Sequence, residues 1–178
     1  NNRKIASSLA FKNLTDYLRL RPGRYSIEVY PAGKRRNPVL RKNIVVRRGS
    51  ISTAAVIGTL DNLSLFVIED PDKTPRKDTA YIRAAHLSPD APAGDVKVDD
   101  RTLFRNVRYK NATRYVSVKP GTYNLSIYRT GTNNKVLEIP NVVLQPEFYY
   151  TTAILGLVNE EPPLQGVTFI DGLYRFIS

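Results

Sequence analysis

The fold is decided by a ten-residue stretch that occurs twice, as KPGTYNLSIY at Lys119–Tyr128 and as RPGRYSIEVY at Arg21–Tyr30. In the later stretch Tyr123, Leu125 and Ile127 alternate with polar residues, which is the period of a strand with one buried face. A Pro-Gly pair precedes each strand. It suits a type II turn because proline presets the first turn angle and glycine accepts a positive φ at the next position. Each stretch is therefore predicted to be a strand that follows a tight turn.

The two stretches belong to an internal repeat with a shift of 98 residues. Residues 1–58 align with residues 99–156 without a gap, and 15 of these 58 positions are identical. Three tyrosines recur at equivalent places and are interpreted as core or corner residues. They are Tyr17, Tyr25 and Tyr30, repeated as Tyr115, Tyr123 and Tyr128. Self-similarity over this length predicts two copies of one domain.

Short segments with period two dominate the rest of the chain, and no segment has a helical stripe. Further strands are predicted near residues 43–47, 51–58, 64–68, 80–86, 95–98, 141–144, 148–157 and 166–171. Many short strands separated by Pro and Gly are typical of a β-sandwich. The predicted fold is all-β, with two tandem immunoglobulin-like β-sandwich domains.

The repeat and a polar, proline-containing segment set the predicted domain boundaries. The first repeat, called copy one, spans residues 1–71 and is N-terminally incomplete. The linker spans residues 72–78, and the second, complete repeat, called copy two, spans residues 79–172. Residues 173–178 form a tail that is a candidate filler strand because it is apolar and strand-like.

Copy one has no counterpart of residues 79–98 within the 178 residues, because Asn1 aligns with Asp99. By the repeat, roughly two strands are missing from it. Three explanations are open. Residues upstream supply the strands, the tail fills the gap, or a neighbouring chain donates strands by β-strand addition.

Composition excludes several kinds of site. The chain has no cysteine, which rules out disulfides, thiolate nucleophiles and cysteine metal sites. One histidine cannot form a multi-histidine site. The aspartates after the histidine match no calcium loop in their spacing; they are Asp90, Asp95, Asp99 and Asp100. We expect neither a metal nor another cofactor. No apolar run reaches 18 residues, so no transmembrane segment is expected.

The net charge of +11 belongs to the first third of the chain, where residues 1–58 hold 13 Lys or Arg and two acidic residues. The candidate face for an anionic partner, called the basic set, consists of Lys34, Arg35, Arg36, Arg41, Lys42, Arg47 and Arg48. The equivalent residues of copy two are uncharged, so the fold does not require these charges. The set is either a solvated edge that discourages strand aggregation or a contact for a polyanion or an acidic neighbour. Nucleic acid is the weaker option because no aromatic stacking platform accompanies the charges.

The only histidine lies in the segment HLSPDAP, His86 to Pro92. It is interpreted as a structural turn motif made of His86, Ser88, Pro89, Asp90 and Pro92. Ser and Asp side chains bond nearby backbone N–H groups, and proline fixes φ. The alternative is a hydrolase in which His86 is the base, Asp90 orients it and Ser88 is the nucleophile. The chain has no Gly-x-Ser-x-Gly elbow beside this serine, so we favour the turn and expect no enzyme.

The stretch AYIRAAHLSPDAPAGDVKVDD at Ala80–Asp100, with FRNVRYKNATRYVSVKPGTYNLSIY at Phe104–Tyr128, resembles the bacterial domain-of-unknown-function family 4397. Its members share a strand that ends in His-x-Ser-Pro-Asp-Ala-Pro, an Asp-Val-x-Val strand and a Tyr-x-x-Val-x-x-Gly-x-Tyr hairpin. The likeness covers copy two entirely and copy one from mid-domain onward. Gly94 departs from the small aliphatic residue that is usual there. The resemblance implies exported or surface-associated β-sandwich modules, often in tandem, without an established activity.

The expected function is that of a non-enzymatic structural or adhesive module on a bacterial cell or spore surface, assembling by strand exchange. Its expected partners are further copies of itself or other surface proteins, and its expected location is extracellular. One alternative is a module that binds an anionic wall polymer or a glycan through the basic set. A weaker alternative is the hydrolase that uses His86.

Overall fold

Copy one consists of two separate β-hairpins. The structure, a computed structural model, describes residues 4–34, 36–99 and 101–172. The strands of copy one are β1 (Gly23–Val29), β2 (Leu40–Val46), β3 (Ile51–Ile57) and β4 (Ser64–Asp70). β1 pairs with β2 and β3 pairs with β4, both antiparallel. A 3-10 turn at Leu60–Asn62 joins the second pair.

Copy two is a β-sandwich of two sheets. Its strands are β5 (Ala80–His86), β6 (Gly94–Val98), β7 (Arg101–Val107), β8 (Asn111–Ala112), β9 (Val116–Val118), β10 (Gly121–Arg129), β11 (Lys135–Leu144), β12 (Tyr149–Leu155) and β13 (Gln165–Asp171). The first sheet has the order β11-β10-β6-β7. The second has the order β13-β12-β5-β8, and β9 also pairs with β5. β5 runs parallel to β12, and the other pairs are antiparallel.

The core lies between the two sheets of copy two, where alternate side chains of each strand point inward. Ile82 and Ile154 come from one sheet, and Val96, Leu125 and Ile127 come from the other. All five are at most 2% exposed. Burial of apolar surface contributes about 25 cal/mol per Å², so this core stabilises copy two.

The hairpins of the two copies correspond strand by strand, which confirms the predicted repeat and the all-β class. Ile51 pairs with Asp70 in copy one, as the equivalent Tyr149 pairs with Asp171 in copy two. The predicted type II turns before β1 and β10 are not formed, because Gly23 is extended at φ 159° and Gly121 has no positive φ, so each glycine already begins its strand. The Pro-Gly segments of the two copies nevertheless match in their contacts. Tyr25 donates a hydrogen bond to the Arg21 carbonyl at 2.8 Å, and Tyr123 donates one to the Lys119 carbonyl at 2.7 Å. Each of these tyrosines therefore braces the Pro-Gly segment before its own strand.

The hairpin strands lie near their predicted positions, although β11 is much longer than the predicted residues 141–144, and three strands of copy two were not predicted. β7, β8 and β9 lie in residues 101–118, and β8 and β9 are only two and three residues long. Strands this short form because β5 offers them a backbone edge, and a local sequence pattern does not report that edge. The candidate filler strand at residues 173–178 lies outside the described residues. Across the part of the chain that the structure covers, no helix has the length and apolarity needed to cross a membrane.

Candidate functional site

The two copies meet at an arginine on the outer face of β5. Successive side chains of a strand point to opposite faces, so Tyr81 and Arg83 face away from the core that Ile82 enters. Arg83 is nevertheless only 3% exposed, because the end of β4 in copy one covers it. A guanidinium that is buried in this way needs partners for its donors.

Every arm of the Arg83 guanidinium has a partner. Its Nε donates to the Thr151 hydroxyl at 2.6 Å within copy two, and its Nη1 donates to the Glu69 carbonyl at 2.7 Å in copy one. Its Nη2 donates to Asp70 Oδ1 and also lies 3.6 Å from Asp171 Oδ1. The guanidinium carbon stands 4.6 Å above the ring centre of Tyr115. One side chain therefore joins both copies through charge-assisted hydrogen bonds.

The two carboxylates at the junction accept hydrogen bonds from the same two residue types, tyrosine and threonine. Asp70 Oδ2 accepts hydrogen bonds from Tyr17 at 2.6 Å and from Thr53 at 2.7 Å. Its counterpart Asp171 accepts hydrogen bonds at Oδ2 from Tyr115, at 2.9 Å, and from Thr151. We call these residues the junction cluster: Tyr17, Thr53, Asp70, Arg83, Tyr115, Thr151 and Asp171. The repeat therefore reproduces a Tyr-Thr-Asp set, and Arg83 lies between the two sets.

The environment of the junction shifts the pKa of several groups. Burial raises the pKa of Asp171 to about 6, although Arg83 opposes the shift. Burial also raises the pKa of Tyr17 to about 12 and raises that of Tyr115. Asp171 Oδ1 accepts no hydrogen bond from the described residues and interacts with Arg83 by charge alone. The Gly172 N–H donates to the Tyr17 hydroxyl at 3.1 Å, which adds a further link between the copies.

The sequence interpretation missed most of this cluster. It selected Tyr17 and Tyr115 as repeated structural residues but did not single out Arg83, Asp70 or Asp171. The two aspartates are separated by 101 residues rather than 98, because the β12–β13 loop is three residues longer than the β3–β4 loop. A gapped comparison of the copies would have aligned them, whereas the sequence around Arg83 does not identify which residues are its partners.

The turn motif lies at one end of the sandwich, between β5 and β6. His86 is buried, and its Nε2 lies 3.1 Å from the Pro92 carbonyl oxygen. Ser88 is also buried and donates to Asp90 Oδ1 at 3.1 Å, while Asp90 Oδ2 accepts the Val158 N–H at 2.9 Å. Pro89 lies in the bend between them. These contacts join the β5–β6 loop to the β12–β13 loop.

The geometry around His86 gives no catalytic pairing within the described residues. Ser88 bonds to Asp90 rather than to His86, and the Nδ1 atom of His86 has no hydrogen-bond partner there. Burial lowers the pKa of His86, so the ring is neutral at neutral pH. In the regions that the structure describes, no three His, Asp or Glu residues lie close enough together to hold a metal ion.

The six described members of the basic set are exposed but do not form one compact patch. Lys34 and Arg36 lie in the β1–β2 turn, and Arg47 and Arg48 follow the other end of β2, roughly 20 Å away along the strand. Arg41 and Lys42 point to opposite faces of β2 because side chains alternate. Arg41 pairs with Glu28 at 2.8 Å, and Arg47 lies 3.5 Å from Glu69. Arg35 lies outside the described residues.

Comparison with known proteins gives one family. A family model described as "Domain of unknown function (DUF4397)" matches residues 1–97 and again residues 80–171. The two matches overlap at residues 80–97, which contain β5, the turn motif and most of β6. Curated proteins gave no match.

Proposed function

The chain belongs to the DUF4397 family, and from this premise we propose that it is a non-enzymatic structural or adhesive module on the exterior of a bacterial cell or spore. Its work is to hold the tandem copies in a fixed relative orientation. Its partners are further copies of such domains or other surface proteins.

The observation that carries this proposal is the buried junction cluster. Domains that share a small polar interface usually move relative to one another. Here Arg83 is almost fully buried and bonds to both copies, so bending at the junction would expose or unpair a charge. Breaking one partner of a buried ion pair costs about 3–5 kcal/mol. A fixed orientation is a property that a module under mechanical load requires.

The proposal is tested on the source bacterium with an antibody raised against this chain. We expect the antibody to label intact cells or spores, and external protease to remove the label. A chromosomal Arg83→Met variant is expected to lower the surface-bound amount, whereas Arg129→Met, which changes an exposed arginine of β10, is expected to leave it unchanged. Labelling that appears only after the cells are lysed would contradict the proposal.

A second candidate function, binding of an anionic wall polymer, is favoured by the unpaired part of the basic set. Among the described residues, Lys34, Arg36, Lys42 and Arg48 form no ion pair, and all four are exposed. Exposed charges without partners are free to meet a polyanion, and such binding weakens with salt.

This candidate is tested with purified teichoic acid at two salt concentrations. The variant in which Lys34, Arg36, Lys42 and Arg48 are replaced by Gln is expected to lose the salt-sensitive binding. The matched control replaces four exposed arginines of copy two by Gln: Arg101, Arg108, Arg114 and Arg129. Equal binding by both variants would exclude the basic set as the surface that binds teichoic acid.

A further inference from the structure

A polar cavity lies on the outer face of the first sheet of copy two, beside the loop between β10 and β11. Its volume is about 330 Å³, within the range of small-molecule sites. Val96 and Val98 belong to the core, so their neighbours on β6 point outward. The lining combines charged, aromatic and neutral polar side chains: Asp95, Lys97, Thr102, Arg105, Tyr128 and Asn133. The cavity is therefore suited to a small polar ligand.

A buried carboxylate fixes the walls of this cavity. Asp95 is only 9% exposed, and its Oδ1 accepts hydrogen bonds from the Asn106 N–H at 2.8 Å and from the Thr130 hydroxyl at 2.9 Å. It thereby ties β7 and the β10–β11 loop to β6. Opposite Asp95, the β6–β7 pairing contains a bulge formed by Arg105 and Asn106. A bulge changes the direction of the side chains that it carries, and Arg105 lines the cavity. The walls are therefore in place without a ligand.

The two cations of the cavity form no ion pair with any of the described residues. Lys97 Nζ stands 4.2 Å from the centre of the Tyr128 ring, and Arg105 is exposed on the bulge. Asp95 supplies one negative charge, so Lys97 and Arg105 leave the cavity with a net positive charge. A cavity of this charge attracts a ligand that carries an anionic group.

The repeat shows that the tyrosine of this cavity differs from its counterpart in copy one. The equivalent Tyr30 donates a hydrogen bond to Glu28 on the neighbouring strand position. In copy two, Ser126 occupies the place of Glu28. Within the described part of the chain, the Tyr128 side chain contacts Lys97 through its ring, and its hydroxyl has no hydrogen bond. The phenol is therefore available to a ligand.

We propose that this cavity binds an acidic sugar unit. Lys97 and Arg105 meet its carboxylate, and arginine is the side chain best shaped to bind a carboxylate through two parallel hydrogen bonds. The hydroxyl groups of the sugar meet the neutral groups of Thr102, Tyr128 and Asn133 in the same cavity. The inference does not rest on the proposed structural role, and it concerns none of the residues of the basic set.

The probe is D-glucuronate, titrated into the full chain and followed by isothermal titration calorimetry. D-Glucose has the hydroxyl groups without the charge, and acetate has the charge without the hydroxyl groups. We expect saturable one-to-one binding of glucuronate that weakens with salt. Glucose and acetate are expected to bind at least about tenfold more weakly, because each lacks part of the hydrogen bonding. Absence of saturable glucuronate binding would overturn the proposal, and so would equally tight binding of either comparison ligand.

Two double variants place the ligand in this cavity. Lys97→Gln with Arg105→Gln is expected to weaken glucuronate binding by about tenfold or more, because both charge-assisted contacts are lost. The matched control is Lys110→Gln with Arg114→Gln, which removes the same two charges from copy two outside the cavity. It includes a second lysine that stands over a tyrosine ring, since Lys110 Nζ lies 5.1 Å from the centre of the Tyr109 ring. The control is expected to bind as the natural chain does, and an equal loss in both variants would overturn the proposal.

A further comparison separates this cavity from the basic set of copy one. The Gln variant of Lys34, Arg36, Lys42 and Arg48 is expected to bind glucuronate as tightly as the natural chain. A loss of glucuronate binding in that variant would assign the ligand to copy one and overturn the proposal. The urea midpoint of each variant shows whether it is folded, and the comparison of the three ligands on the natural chain needs no substitution.

Discussion

Asp70 and Asp171 occupy the same position in the two copies, at the ends of β4 and β13, and both carboxylates face Arg83. Asp70 receives a direct hydrogen bond from the guanidinium across the junction, while Asp171, in the same copy as Arg83, lies 3.6 Å away. Arg83 therefore forms ion pairs with two equivalent carboxylates. The repeat produces the acceptors, and the contact between the copies brings them together.

Replacing Arg83 by Met is expected to destabilise the chain by about 3–5 kcal/mol, because it leaves two buried carboxylates without their cation. Urea unfolding followed by tyrosine fluorescence measures the change. Arg129→Met, at an exposed site, is expected to change the free energy of unfolding by less than about 0.5 kcal/mol. Equal effects of the two substitutions would mean that the junction contributes no special stability.

Asp171 is expected to make the chain less stable as the pH rises from about 4 to about 6. Its pKa is about 6 in the folded protein and 3.8 in the reference state, so the folded state binds the proton more tightly. This stabilisation is complete below the lower value and is lost as the pH rises through the higher one. At 1.36 kcal/mol per pKa unit, the loss amounts to about 3 kcal/mol.

The measurement is urea unfolding at several pH values for the natural chain and for Asp171→Asn. The neutral amide cannot titrate, so the difference between the two stability curves isolates Asp171 from the nearby Asp70. The control is Asp61→Asn, an exposed aspartate in the 3-10 turn. A difference curve that is flat between pH 4 and pH 6 would contradict the assignment.

Tyr17→Phe is expected to destabilise the chain by about 1–3 kcal/mol, because the Gly172 N–H and one oxygen of Asp70 lose a buried partner. Tyr25→Phe is the matched control. Its hydroxyl bonds to the Arg21 carbonyl at an exposed site, where water can replace it, and about 0.5–1 kcal/mol is expected. Thermal unfolding of the two variants gives the comparison, and a larger effect at Tyr25 would reverse the predicted order.

His86 is expected to destabilise the chain in acid. Burial lowers its pKa below the reference value of 6.5, so the unfolded state binds the proton more tightly. The stability that depends on neutral His86 is present above pH 6.5 and is lost as the pH falls through the lowered pKa. His86→Gln keeps a donor for the Pro92 carbonyl without a titrating ring. It is expected to remove this acid sensitivity, as measured by unfolding at pH 5 and pH 7.5. If the free energy of unfolding changed between the two pH values as much in His86→Gln as in the natural chain, His86 would be excluded as the source of the acid sensitivity.

The hairpins could be predicted because the residues that specify each strand are close together in the sequence. The period of two residues after the Pro-Gly pair marks β1 and β10 whatever lies beside them. The short strands β8 and β9 could not be predicted, because they exist only where β5 offers an edge. The equivalent segment of copy one agrees with this reason, since residues 4–22 align with residues 102–120 and form no strand.

The sequence predicted that Ser88 and Asp90 bond nearby backbone N–H groups, but Ser88 donates to the Asp90 side chain, and Asp90 accepts the N–H of Val158, which is 68 residues away. The role of Arg83 could not be predicted, because the residue lies within an apolar strand and its partners are distant in the chain. Its nearest bonded side chain, Asp70, is 13 residues away across the linker, and Thr151 is 68 residues away. A buried arginine in an otherwise apolar strand is the one local signal that predicts a distant carboxylate.

The most direct test of a fixed orientation between the copies is a distance distribution across the junction. The chain has no cysteine, so Asp61→Cys and Asn133→Cys place one spin label in each copy. Pulsed electron paramagnetic resonance is expected to give one narrow distribution of distances between the two labels. It should broaden when Arg83→Met is added and stay narrow when Arg129→Met is added. A distribution that is already broad with Arg83 in place, or one that Arg83→Met leaves narrow, would contradict the account.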